Sequence, residues 1–72
     1  SAAVADLFVD RKLSTELFAQ ITSDDRVFTM AAETVARTGR GRNFLRQVCR
    51  WMRDVDTQRY ATRIRAIEDC IR

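Results

Sequence analysis

The 72-residue sequence contains no histidine and no proline, and only two glycines. Without histidine, the side chain that titrates nearest neutrality is missing, and acid–base catalysis would fall to a carboxylate raised by burial. Each Asp and Glu instead sits where a helix cap or a polar helix face is expected. The two cysteines, Cys49 and Cys70, have no imidazole partner for nucleophilic work and form no CxxC ligand pair. The expectation is a chain with no catalytic residue, no cofactor and no metal, and not an enzyme. Two short near-misses agree with it. DVDTQR opens like a calcium loop, but Arg59 stands where that loop needs glycine and Arg65 where it needs glutamate. GRGRN lacks the lysine and the spacing of a phosphate-binding loop.

Other absences bound the architecture. No apolar run approaches the roughly 18 residues of a membrane-spanning helix. The opening SAAVADLFVD carries Asp6 and Asp10 with no basic flank before them, unlike a targeting leader. Two thiols without a framework spacing suit a reducing, intracellular setting. With no proline and abundant Ala, Leu, Arg, Glu and Gln, the chain favours helix throughout. Its size allows one domain, 1–72, whose core supplies only about 3–5 kcal/mol without a staple, so either tight helix packing or help from a partner chain, a second copy included, is expected.

What is present is arginine. Twelve of the thirteen basic residues are Arg, and their distribution is polar. Residues 1–36 carry three basic against six acidic residues, a net of −3, and residues 37–72 carry ten against four, a net of +6. Such asymmetry fits an anionic partner for the second half, or two halves that attract each other.

Apolar spacing predicts an all-α fold, a small compact bundle of four to five short helices. Val4, Leu7 and Phe8, then Leu13, Leu17 and Ile21, fall at helical intervals, with a break placed near RKLS; a single helix over 2–21 fits the same ladder. RKLS also resembles a basophilic kinase site, which marks Ser14 as a phosphorylation candidate at a helix start. Ser23 reads as the N-cap of a helix over 24–37 that buries Val27, Phe28, Ala31 and Val35. The Gly-containing link 38–42 follows: Gly39 is expected to close that helix in the left-handed conformation and Gly41 to loosen the chain, with Asn43 starting the next helix.

From there Phe44, Leu45, Val48, Trp51, Met52 and Val55 share one face, and Arg42, Arg46, Arg50 and Arg53 gather opposite them. A second stripe, Tyr60, Ile64, Ile67 and Ile71, is rotated from the first, which predicts a turn in DVDT; one long helix meeting two neighbours is the alternative. A hairpin about DVDT would set Cys49 near Thr62 and away from Cys70, so no internal disulfide is expected.

The functional expectation is a non-enzymatic helical protein–protein interaction module, a small structural or adaptor subunit of a larger assembly. Its basic face, Arg40, Arg42, Arg46, Arg50 and Arg53, would meet an acidic protein partner, and Phe44, Val48, Trp51, Met52 and Val55 would supply apolar anchors. The alternative is a nucleic-acid-binding domain that uses the Arg-rich face of residues 40–65, because Arg fits phosphate bidentately. A helix-turn-helix outline over TMAAETVARTGRGRNFLRQVCRWMRD fails in detail: Arg40 stands at the turn glycine and Arg46 at a core position of the second helix.

Overall fold

The computed structural model describes residues 15–72. Ser14 and the apolar ladder from Val4 to Leu13 lie outside the described residues. Within them the fold is all-α, with four helices and no strand: α1 (Thr15–Ala19), α2 (Asp25–Val35), α3 (Gly39–Asp56) and α4 (Ala61–Cys70).

A five-residue helix such as α1 has too few internal hydrogen bonds to stand alone. It is held from its inner side, where Phe18 and Ala19 are buried. The Phe18 ring meets Phe28 of α2 at 5.6 Å and the edge of Phe44 of α3 at 5.5 Å, so one side chain fastens α1 to two neighbours.

The cap of α2 is Asp24, one residue beyond the expected Ser23. Its extended backbone lets Oδ1 accept from the amides of Arg26 (2.8 Å) and Val27 (3.3 Å). A charged acceptor at the positive helix end outcompetes a hydroxyl one residue earlier. The helix buries Phe28, Ala32 and Val35, a strict i, i+4, i+7 ladder, while Val27 faces outward and Ala31 is only half-buried.

The TGRG segment does the opposite of what its glycines suggest. It opens α3. Thr38 is the N-cap, with Oγ1 accepting from the Gly41 amide at 2.9 Å, and α3 begins at Gly39, four residues before Asn43. Neither glycine takes a left-handed conformation. Gly41 is buried because the last turn of α2 presses on it: a Cβ there would lie 1.7 Å from the Val35 carbonyl oxygen. The glycine is therefore a close-approach position and not a flexible one. Arg42 reinforces the same junction, its Nη1 donating to the Ala36 carbonyl at 2.9 Å. The carbonyl end of α2 thus meets a guanidinium and the amide end of α3.

The predicted turn exists but falls later, at 57–60. Asp56 accepts from the Arg59 amide at 3.0 Å, and α4 starts after Tyr60 without a side-chain cap. This shift resets the hairpin register. Arg53 pairs with Glu68, and Cys49 lines a cleft with Ile71, so Cys49 is not set opposite Thr62. Both cysteines are free thiols.

In the resulting arrangement α1 packs on α3, α2 packs on α4, and α3 and α4 pack together. The interior is filled by Phe18, Phe28, Leu45, Val48, Met52 and Ile67, each essentially inaccessible to solvent. One cation sits among them. Arg63 of α4 is 8% exposed and uses its guanidinium fork on three partners in a different part of the chain. Nε donates to Asp25 Oδ1 at 2.8 Å, Nη1 to the Ala19 carbonyl at 2.6 Å and Nη2 to the Thr22 carbonyl at 2.6 Å. Its planar face lies 4.7 Å from the Phe28 ring centroid. The end of α1, the loop after it and the start of α2 are thereby fixed to α4.

Two stability predictions follow from these contacts. Arg63→Lys keeps the charge but loses the fork, so the Ala19 and Thr22 carbonyls cannot both be served; the expected loss is about 2 kcal/mol, and Arg63→Ala loses about 3 kcal/mol or more. Asp25→Asn, at a half-exposed partner, costs about 1 kcal/mol. Urea unfolding separates the three, and equal effects for Arg63→Ala and Asp25→Asn would contradict the carbonyl contacts. Gly41→Ala is expected to cost more than about 2 kcal/mol through its clash with backbone, whereas Gly39→Ala, in open space, is neutral or gains up to about 1 kcal/mol. Thermal melts of the pair give opposite or unequal shifts if the α2–α3 junction is as tight as described.

Candidate interaction surface

Helix α3 has two very different sides. Phe44, Leu45, Val48, Cys49 and Met52 point into the bundle. Phe44, Val48 and Met52, expected as partner anchors, are buried in the interior of the chain itself. Trp51 is half-buried, its ring 5.6 Å from that of Tyr60 across the turn. Val55, 53% exposed, is the one residue of that stripe left open. It falls within the angular span of the stripe but stands next to last in α3, one residue before the helix ends at Asp56.

The basic row does not act as a unit either. Arg40 is exposed on the first turn of α3. Arg42 is half-buried at the α2–α3 junction. Arg46 is exposed and gives Nη1 to Asn43 Oδ1 at 3.0 Å. Arg53 donates through Nη2 to Glu68 Oε2, a half-exposed ion pair between α3 and α4. Arg50 is exposed, and its side chain has no hydrogen bond or ion pair to any of the described residues. Position on the helix puts Arg42, Arg46, Arg50 and Arg53 together; their contacts divide them.

Three members of the row remain grouped. Arg46, Arg50 and Arg53 line a cleft of about 280 Å³ with Cys49, Asp54 and Ile71. Cys49 is buried, and Ile71, just past the end of α4, is half-buried. Cys49 and Ile71 were not foreseen as part of any site. The late turn brings Ile71 back onto α3, and nothing local in the sequence fixes that register.

The thiols are chemically quiet. Burial pushes Cys49 above its ordinary value; Arg53 opposes this and Glu68 adds to it. Burial likewise raises Cys70, whose Sγ donates to the Ile67 carbonyl at 3.4 Å. Both stay protonated near neutrality, the form that is neither a strong nucleophile nor a ready metal ligand. No group of three or more His, Cys, Asp or Glu among the described residues is arranged to hold a metal ion.

Elsewhere, Leu17, Ile21, Val27 and Met30 are exposed, Met30 most of all at 66%. A second cleft, about 340 Å³, has Gln20, Ser23, Arg59 and Tyr60 around Arg63 and belongs to the structural clamp. Arg63 was legible as one of several surface arginines, yet it lies between Tyr60 and Ile67 at helical spacing, inside the second apolar stripe. A charge within an apolar stripe was the signal. Arg59, by contrast, stays exposed, with its guanidinium 5.4 Å from the Tyr60 ring centroid.

No protein-family model, curated protein or solved structure matches this chain. No described helix is long and apolar enough to cross a membrane.

The pKa directions give a sign. A thiol raised in the folded state keeps its proton where the unfolded thiol loses it, so stability falls as pH rises through and beyond the ordinary thiol range. With both cysteines replaced by alanine, that alkaline slope should flatten. Native alkylation should label Cys70 before Cys49, and equal rates for the two would contradict the burial of Cys49.

Proposed function

We propose that the chain is a non-enzymatic helical interaction module that docks an acidic protein partner on the outer side of α3. The observation that carries this reading is the pairing of a locked inner face with an outer face where Arg46, Arg50 and Arg53 border one cleft. A rigid helix presents cations to a partner with little ordering cost, and Arg is enriched at protein interfaces. Val55 and the open part of Trp51 add apolar surface on the same helix.

The charge bookkeeping favours protein over nucleic acid. A phosphate track needs several free cations in a row. Of the four aligned arginines of α3, Arg42 is committed to the Ala36 carbonyl and Arg53 to Glu68, which leaves Arg46 and Arg50; Arg63 of α4 is committed to the clamp. The asymmetry between the two halves of the chain is met internally at one described ion pair, Arg63–Asp25, and the outer α3 arginines are left for a partner. The reading places the module as a small subunit or adaptor in a larger assembly, inside the cell.

Binding of polyglutamate and of random duplex DNA, each at about 50 and 200 mM salt, tests the reading. Polyglutamate is expected to bind at low salt and to lose about tenfold or more in an Arg46→Ala/Arg50→Ala variant. Tighter binding to DNA, with a steep salt slope lost in the same variant, would replace the protein partner by nucleic acid.

A further inference from the structure

We propose that the cleft at Arg50 selects a carboxylate side chain with an aliphatic side chain beside it, both from an acidic segment of the partner. The inference rests on the docking reading above and names the chemistry that the surface recognises.

The cleft at about 280 Å³ lies just under the roughly 300–1,000 Å³ of small-molecule pockets, a size for side chains of a larger partner. Its cations differ in what they have left to give. Arg53 is taken by Glu68. Arg46 has one nitrogen on Asn43 and keeps Nε and Nη2. Arg50 has its whole fork of five N–H donors unengaged by the described residues. Such a fork matches a carboxylate bidentately, and a desolvated bidentate pair is stronger than a surface contact.

Arg46 and Arg50 stand one turn apart, about 6 Å along α3, which suits two carboxylates on successive turns of a partner helix. The rest of the lining is not cationic. Cys49 offers a neutral thiol that behaves as a small hydrophobe, and Ile71 offers an aliphatic flank.

Negative charge also bounds the cleft. Asp54, one turn beyond Arg50, lines it without pairing to Arg50 among the described contacts, and Glu68 is held on Arg53. A uniform polyanion laid through the cleft would meet the Asp54 carboxylate. A segment that alternates carboxylates with aliphatic side chains meets Arg46 and Arg50 with the first and Ile71 with the second, over the floor that the buried Cys49 forms. This is specificity by repulsion as well as attraction.

Fluorescence anisotropy at about 50 mM salt separates the possibilities, with four labelled probes: a Glu-Glu-Leu-Leu repeat peptide, its Gln-Gln-Leu-Leu counterpart, polyglutamate and duplex DNA. The Glu/Leu peptide is expected to bind about tenfold tighter than polyglutamate or the Gln/Leu peptide. Arg50→Ala should weaken it about tenfold and Ile71→Ala severalfold, while Arg65→Ala, the same charge lost from an exposed position outside the cleft, should leave it unchanged. Equal losses in Arg50→Ala and Arg65→Ala would overturn the cleft. Equal binding of polyglutamate and the Glu/Leu peptide, insensitive to Ile71→Ala, would overturn the selection and leave the docking face standing. DNA as the tightest ligand, or no binding by any probe, would overturn both.

Discussion

The structure depends on one buried guanidinium. Arg63 ties the Ala19 carbonyl at the end of α1, the Thr22 carbonyl of the following loop and the first-turn carboxylate of α2 to the first turn of α4. In a domain whose core supplies only a few kcal/mol, losing such a clamp removes much of what is available. Its geometry explains why arginine and not lysine stands there: three acceptors are each met by a different guanidinium nitrogen, and only a fork reaches them together. The Phe28 ring behind it closes off water and makes each of those hydrogen bonds count for more.

The clamp also frees the outer side of α3. Because α4 is fixed to the start of α2, the hairpin register is set, and Ile71 returns against α3 beside Cys49. At the other end of α3, the Gly41–Val35 approach and the Arg42–Ala36 bond fix where the helix begins. A helix anchored at both ends and along its inner side has one face left, and that face carries Arg46 and Arg50. Packing, not composition, decides which arginines are available.

The sequence made the helices and the two apolar stripes legible because burial repeats at the helical period over Phe44–Met52 and Tyr60–Ile71. Boundaries were harder where two signals competed within a residue or two. Ser23 and Asp24 are both good caps, and the choice turned on backbone direction. TGRG carries the glycines of a helix end, yet Thr38 in front of them is also a good cap, and the deciding fact was a tertiary approach by Val35. The arginine row was legible as a row, since four members recur at helical spacing. Its division was not, because Ala36 and Glu68 reach it from outside α3, and only the Arg46–Asn43 contact is local. Arg63 lay in an apolar stripe, and charge alone disguised it as surface.

The account's central claim is that one arginine of the second half is a structural clamp while its neighbours on α3 meet the partner. NMR of the arginine Nε–H groups during titration with the Glu/Leu peptide tests this directly. The Arg46 and Arg50 resonances should shift as peptide is added, and the Arg63 resonance should stay in place and remain protected from solvent exchange. Movement of Arg63 with Arg46 and Arg50 unmoved would contradict the account.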